Sequence, residues 1–317
     1  MPQPARTYLS CSTNPNCRIV ADSCGCLSLE AARDLGVDLI EFPFIMGDGE
    51  HRDDQWQSMT SRQFYDRMRA GERVTTSAVP TGEFVEAFER CAREGIPTVY
   101  LSLTAGLSSS VRDAQAAASM VLERHPDFPL VVLDNRMPSL TAGMVTAQVC
   151  RMRDEGASLD DIVAFAKKAP DSIHGYFTLD SLKWLAAGGR IPKAAAGISS
   201  VLDVKANLTY DLDGALALMG ISRGRKKALK NLVSLFEANY VPGSNFPIGI
   251  ADADCPDDVE TLEGMVRDSL ERRGLEVPRF AHYVVDPTIG SHVGPGMIAL
   301  AFWGVDRTSP DYHGGKR

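Results

Sequence analysis

The chain has 317 residues, 44% of them apolar and 23% charged, with a net charge of −8. That length suits two domains, and the composition is that of an ordinary globular protein. The acidity excludes nucleic acid as the main partner, because the one basic run, Arg223-Gly224-Arg225-Lys226-Lys227, is too short to make a basic face.

Residues 1–16 are polar and rich in Pro, Asn and Ser, and read as a loose or strand-capping extension. A strand at 18–21 ends at Asp22-Ser23, and Ser28 caps a short helix to Leu35. Residues 39–46 form an apolar stretch whose Pro43 predicts a sheet edge. Helices are expected over 60–70 and 81–93, the second with Phe84, Phe88 and Cys91 on one stripe. The pattern then becomes regular: strand 98–103, helix 108–125, strand 130–134, helix 139–155, helix 158–169. Strands alternating with helices across short links predict a parallel sheet covered by helices.

After residue 172 the pattern changes. Strand 174–179, a helix from Asp180, a Gly188-Gly189-Arg190 link and a small-residue segment 194–200 come first. Strands 202–210 and 215–219 flank Asp211-Leu212-Asp213-Gly214, a hairpin signal. Helix 225–239, strand 246–251, helix 257–273, strand 279–285 and strand 297–303 complete a mixed α/β second half.

The seven cysteines show no C-x-x-C spacing, so reduced thiols in a cytoplasmic protein are the expectation. Residues 1–10 lack an apolar run of signal-peptide length, and no run reaches the ~18 apolar residues of a membrane helix. There is no G-x-G-x-x-G, Walker loop, G-x-S-x-G or H-E-x-x-H, and the six histidines show no metal spacing. No metal and no cofactor is expected.

What chemistry there is sits in small-polar turns. Four of them, at 22–23, 75–82, 102–110 and 134–139, lie where strands hand over to helices, the place where open α/β sheets bind ligands. Each alone is most simply a helix cap. The last strand is entered through Gly290-Ser291-His292-Val293-Gly294-Pro295-Gly296, which reads as a turn carrying a histidine able to donate to an anion. Hydroxyls and one histidine can hold a carboxylate but have no evident means of breaking bonds. An α/β enzyme using His292 as acid or base and a regulatory module for a small carboxylate both remain open on these residues.

Six ordered blocks resemble the DegV family: Asp22-Ser23, Thr76-Ser77 before Gly82-Glu83-Phe84, Leu103-Thr104-Ala105-Gly106-Leu107-Ser108, Leu182-Lys183-Trp184-Leu185 with Gly188-Gly189-Arg190-Ile191, Arg223 to Leu229, and His292-Val293-Gly294-Pro295-Gly296. The resemblance spans residues 18–303. It implies a two-domain α/β fold: a parallel-sheet N-terminal domain with flanking helices (17–172) carrying carboxylate-binding loops, and a mixed α/β domain (173–307) closing over an acyl chain, with 1–16 and 308–317 as extensions. It further implies a bound long-chain fatty acid, presented without catalysis to a separate fatty acid kinase, and transient membrane contact. The implied ligand-binding residues are Thr76, Ser77, Thr104, Ser108, His292, Gly294 and Gly296. Arg190, Arg223, Arg225 and Lys226 are the candidates for kinase docking, Arg190 being equally readable as a partner for a helix C-terminus. Roughly 0.8 kcal/mol per methylene lets a sixteen-carbon tail supply on the order of 10 kcal/mol before ordering costs. Segment 194–198, the helix bearing Ile162 and Phe165, and strand 297–302 are the expected tunnel walls.

Overall fold

In a computed structural model, which describes residues 8–9, 14, 16–47, 49–198 and 204–314, the chain builds three sheets. The first uses β1 (Tyr8–Leu9), β2 (Arg18–Asp22) and β3 (Val37–Ile40), with α1 (Leu29–Asp34) between the last two. The chain next makes β4 (Pro43–Met46), β5 (Gly49–Arg52), α2 (Ser61–Arg69) and β6 (Thr75–Thr76). It returns to the first sheet through α3 (Thr81–Glu94), β7 (Thr98–Ser102), α4 (Ser110–Arg124) and β8 (Leu130–Asp134), then runs through α5 (Ser139–Asp154) and α6 (Leu159–Lys168). The second half holds β9 (Ile173–Thr178), α7 (Lys183–Ala187), β10 (Val204–Tyr210), β11 (Leu216–Arg223), α8 (Arg225–Asn239), β12 (Ile248–Asp252), α9 (Pro256–Arg272), β13 (Phe280–Val284), α10 (Pro287–Val293) and β14 (Ile298–Trp303).

The first sheet has order β1-β3-β2-β7-β8 and is parallel except for β1. The second has order β11-β10-β9-β14-β12-β13 and is antiparallel except for the β12–β13 pair. A small antiparallel sheet, β5-β4-β6, lies beside them. This is the expected α/β class, with a parallel sheet followed by a mixed one. The caps at Ser28, Thr60 and Ser158 each accept the backbone N–H three residues on, which is why those helices start where the sequence places them.

Three local expectations are corrected. Residues 39–46 are not one edge strand: the stretch breaks after Ile40, and its second part, β4, is the middle strand of the small sheet. Pro43 is tolerated there as the strand's first residue. The segment before the last strand is not merely a turn, because 287–293 form α10, started by Pro287 with Asp286 accepting from Ile289 N at 2.8 Å. The 194–200 segment is a 3-10 helix over Lys193–Ile198, with Ser199 and Ser200 outside the described residues, as are Leu202 and Asp203 at the head of the next strand. Of the N-terminal extension, Tyr8–Leu9 pairs with the edge strand β3 and most of the rest lies outside the described residues.

One apolar core cluster runs through both halves, joining Val20, Phe84 and Tyr100 to Phe177, Ala251 and Ala301. The helix α5 is the bridge, packing on β2 from one side and on β9, β12 and β14 from the other. The carboxyl ends of the parallel strands therefore face one surface of the second sheet, and the space between them is where the site lies.

Candidate ligand-binding site

The alternation of β9 and β14 decides the shape of that space. On one face Tyr176, Ile298, Leu300 and Phe302 pack with α8 and α9 in a closed cluster. On the other face stand Gly175, Phe177, Ala299 and Ala301, with Ala301 opposite Gly175 and Ala299 opposite Phe177. Small side chains on that face leave a cavity with about 1010 Å³ of empty space, the open solvent at its mouth included. Phe42, Leu103, Leu140 and Met297 are among the apolar walls.

One end of the cavity is polar. Thr76 Oγ1 lies 2.7 Å from His292 Nε2, joining β6 of the small sheet to α10 of the second half across 216 positions of sequence. Burial, and then the nearby Arg190 guanidinium, push the His292 pKa down to about 4, so the ring is neutral near pH 7. His292 Nδ1 is buried without a hydrogen-bond partner and faces Gly188, where a Cβ would come within 2.2 Å of it. An orphaned lone pair costs less than an orphaned N–H, so the proton belongs on Nε2. His292 then donates to Thr76 Oγ1, and the threonine hydroxyl keeps its own proton for another acceptor.

The same end collects more donors. Ser77 and Ser108 line the cavity, with Ser108 Oγ 3.0 Å from Ser110 Oγ. Leu107, Ser108 and Ser109 precede α4, a fifteen-residue helix whose N-cap Ser109 makes no capping hydrogen bond to the helix backbone. Its first-turn N–H groups and dipole favour negative charge at this spot. Arg190 also lines the cavity, while donating to Gly188 O at 2.5 Å and to Leu107 O at 3.2 Å. Arg190 thus caps the end of α7 and also faces the cavity.

Other candidates are placed elsewhere. Thr104 is buried but turned away from the cavity: its Oγ1 accepts from Gly106 N at 3.0 Å and donates to Asp213 O at 3.4 Å, pinning the β10–β11 hairpin. Gly294 (φ +74°) leaves room for Trp184, and Gly296 (φ +83°) for Asp180; neither lines the cavity. Arg225 is engaged by Asp258 at 2.8 Å and Asp180 at 3.8 Å, whereas Arg223 and Lys226 are exposed. Of the expected tunnel walls, strand 297–302 is the one that contributes among the described residues; Ile162 and Phe165 pack in a separate core.

The structure adds residues that the sequence reading passed over: Gly175, Thr141, Tyr210 and Thr288 also line the cavity. A glycine inside a strand, at Gly175, was the available signal. Behind Thr288 lies a buried carboxyl pair. Thr288 Oγ1 donates to Asp53 Oδ2 at 2.6 Å, and Asp286 beside it is pushed up to about 6 by burial. Burial and the neighbouring Asp286 hold the Asp53 carboxyl well above its usual range. Asp22, raised to about 7 by burial, accepts from Tyr100 and from Leu103 N, which fixes the 103–109 loop. Among the described residues, no group of three or more His, Cys, Asp or Glu is placed to hold a metal ion, and no helix is long and apolar enough to cross a membrane.

Known proteins share this architecture. A DegV domain-containing protein of Clostridium perfringens is 32% identical over 286 residues, 90% of this chain and 97% of its own. A DegV family protein of Thermus thermophilus, described by its fatty acid binding, superposes with a TM-score of 0.80 at 26% identity, over 92% of this chain and all of its own. A stearic acid-binding protein of Eubacterium ventriosum superposes with a TM-score of 0.79 at 24% identity over 92% of this chain and 99% of its own, a likeness of fold. Residues 16–304 match the profile of the DegV family, described as uncharacterised proteins. The chain belongs to the DegV family.

Proposed function

We propose that this protein binds a long-chain fatty acid in the cavity between its two larger sheets and presents the carboxylate to a separate kinase. The observation that carries the reading is the Thr76–His292 pair at the polar end of an otherwise apolar cavity. The fatty-acid-binding relative from Thermus thermophilus supports it. The carboxylate accepts from the Thr76 hydroxyl, whose oxygen His292 Nε2–H supports, with Ser77, Ser108 and the start of α4 nearby. The tail follows β14 from Met297 past Ala299 to Ala301, exchanging water contact for apolar walls.

Neutral donors suit this task. They make a buried carboxylate tolerable without a bidentate guanidinium, leaving an oxygen lone pair available. That oxygen attacks the terminal phosphorus of a nucleoside triphosphate held by the partner. An acyl phosphate forms as the bond to the departing nucleoside diphosphate breaks. Arg190 at the cavity, with the exposed Arg223 and Lys226, offers the positive surface for the partner; Arg225 is committed to Asp258 and Asp180.

Native mass spectrometry and lipid extraction of the purified protein test the binding. The expected result is a co-purified acyl chain, and thermal stabilisation by added acids that climbs with chain length. Bare protein after incubation with palmitate or oleate overturns the reading. Equal stabilisation by short and long acids overturns it in favour of a small-carboxylate module, and turnover of substrate by the protein alone overturns it in favour of an enzyme.

A further inference from the structure

The chain continues past residue 304, where the family match ends, and the described segment 305–314 is laced onto the back of the cavity. Val305 N donates to Asn239 O at 2.9 Å, His313 N donates to Asn239 Oδ1 at 2.9 Å, and Tyr312 lies against His174 with ring centroids 5.5 Å apart. At the centre of this strap stands Arg307, only 5% exposed. Its guanidinium donates to Pro170 O at 3.2 Å and to Tyr210 O, and its own N–H donates to Asp171 O at 2.6 Å. Its Cζ lies 4.7 Å from the centroid of the Tyr210 ring. Among the described residues its side-chain hydrogen bonds all go to backbone carbonyls. A desolvated cation held this way is strongly attracted to an aromatic face, so the ring is fixed in plane and position.

Tyr210 is also part of the cavity wall. Tyr210 Cε1 is 2.8 Å from where a Cβ on Gly175 would stand, so the glycine exists to let the ring lie across the sheet floor. Gly175 is paired with Ala301, two positions beyond Ala299 along β14 and away from Met297 and His292. The Tyr210 hydroxyl donates to Ile173 O at 3.1 Å, so its proton is committed to the backbone.

We infer that the C-terminal strap sets the length of acyl chain the protein accepts: Arg307 is a positioning residue that holds Tyr210 as the stop at the far end of the cavity. The inference rests on the fatty-acid reading and adds to it a specificity element carried by a segment beyond the family match. A tail entering past His292 gains burial with each methylene until it meets the Tyr210 ring. Beyond that length, further carbons gain nothing.

The test measures the affinity of delipidated protein for the saturated acids from lauric to arachidic. For the wild type, affinity rises about fourfold per carbon and then reaches a plateau. In Tyr210→Val the plateau moves to acids about two carbons longer. In Arg307→Met the longer acids gain at least twofold relative to the shorter, while Arg307→Lys, which keeps the cation, restores the wild-type profile. Tyr210→Trp, which keeps an aromatic face under the guanidinium, moves the plateau to shorter acids and serves if the Arg307 variants do not fold. A uniform loss at every length, or an unshifted plateau in the Tyr210 variants, overturns this inference alone. Failure of the wild type to bind any of these acids overturns the fatty-acid reading and this inference with it.

Discussion

The two large sheets meet at one cavity and contribute to it in opposite ways. The parallel sheet offers loops: the turns after β7 and β8 bring hydroxyls, backbone N–H groups and the start of α4. The second sheet offers a surface stripped of bulk, where Gly175, Ala299 and Ala301 stand in place of large side chains. The first contribution is polar, local and directional; the second is apolar and extended. A ligand that satisfies both needs an anionic head and a long aliphatic tail. His292 and Thr76 join the two, since they come from neither large sheet but from α10 and the small sheet.

The comparison is broken most severely from the floor. Ala301→Leu places bulk in the cavity at the position opposite Gly175, and displacing about three methylenes weakens binding of a long acid roughly fifty-fold. Calorimetric titration of delipidated protein reads this, and short acids keep their affinity. The head is the next largest effect. Thr76→Val removes the hydroxyl and strands both His292 Nε2–H and the carboxylate, a loss of about 1–3 kcal/mol in binding at every chain length. Equal affinity in that variant removes Thr76 from the site.

The pH dependence of stability sharpens the contrast further, because the two groups of titrating residues pull in opposite directions. His292 and His174 release their protons near pH 4 when folded and near 6.5 otherwise. Between those values the unfolded chain binds more protons, so acidification from 6.5 toward 4 destabilises the fold. The buried carboxyls oppose this. Asp286 releases its proton near pH 6 and Asp22 near 7, against a usual 3.8, so they destabilise the fold as pH rises through that window. Thermal melts across pH 4–7 check both signs. His292→Gln loses part of the acid sensitivity; Asp286→Asn, which keeps the cap on α10, loses part of the opposing slope. The smallest effect belongs to the exposed Lys226: on the proposed function, Lys226→Ala leaves melting temperature and fatty-acid affinity unchanged and lowers only the rate at which a kinase phosphorylates the bound acid.

Much of the fold was legible in one dimension. The capped helices at Ser28, Thr60 and Ser158, and the strand at 130–134, follow from side-chain hydrogen bonds and apolar runs that act within a few residues. Three features escaped. Pro43 reads as an edge signal, yet it begins a central strand, because only its first-residue position spares the ladder a donor. Asp286-Pro287 is a helix start hidden beside a glycine-rich turn, and without α10 His292 could only be assigned to a loop. Thr104 looks like its neighbour Ser108, but the hairpin at Asp213 claims its hydroxyl.

By itself the sequence determined the α/β class and the order of its elements, and it singled out Thr76 and His292, since periodicity, caps and the family blocks all operate along the chain. The tertiary structure decided which hydroxyls meet, which nitrogen of His292 holds the proton, and that Gly175, Ala301 and Tyr210 share one cavity. Those facts depend on strand register and on contacts across hundreds of positions, and a void between sheets has no residue of its own to announce it.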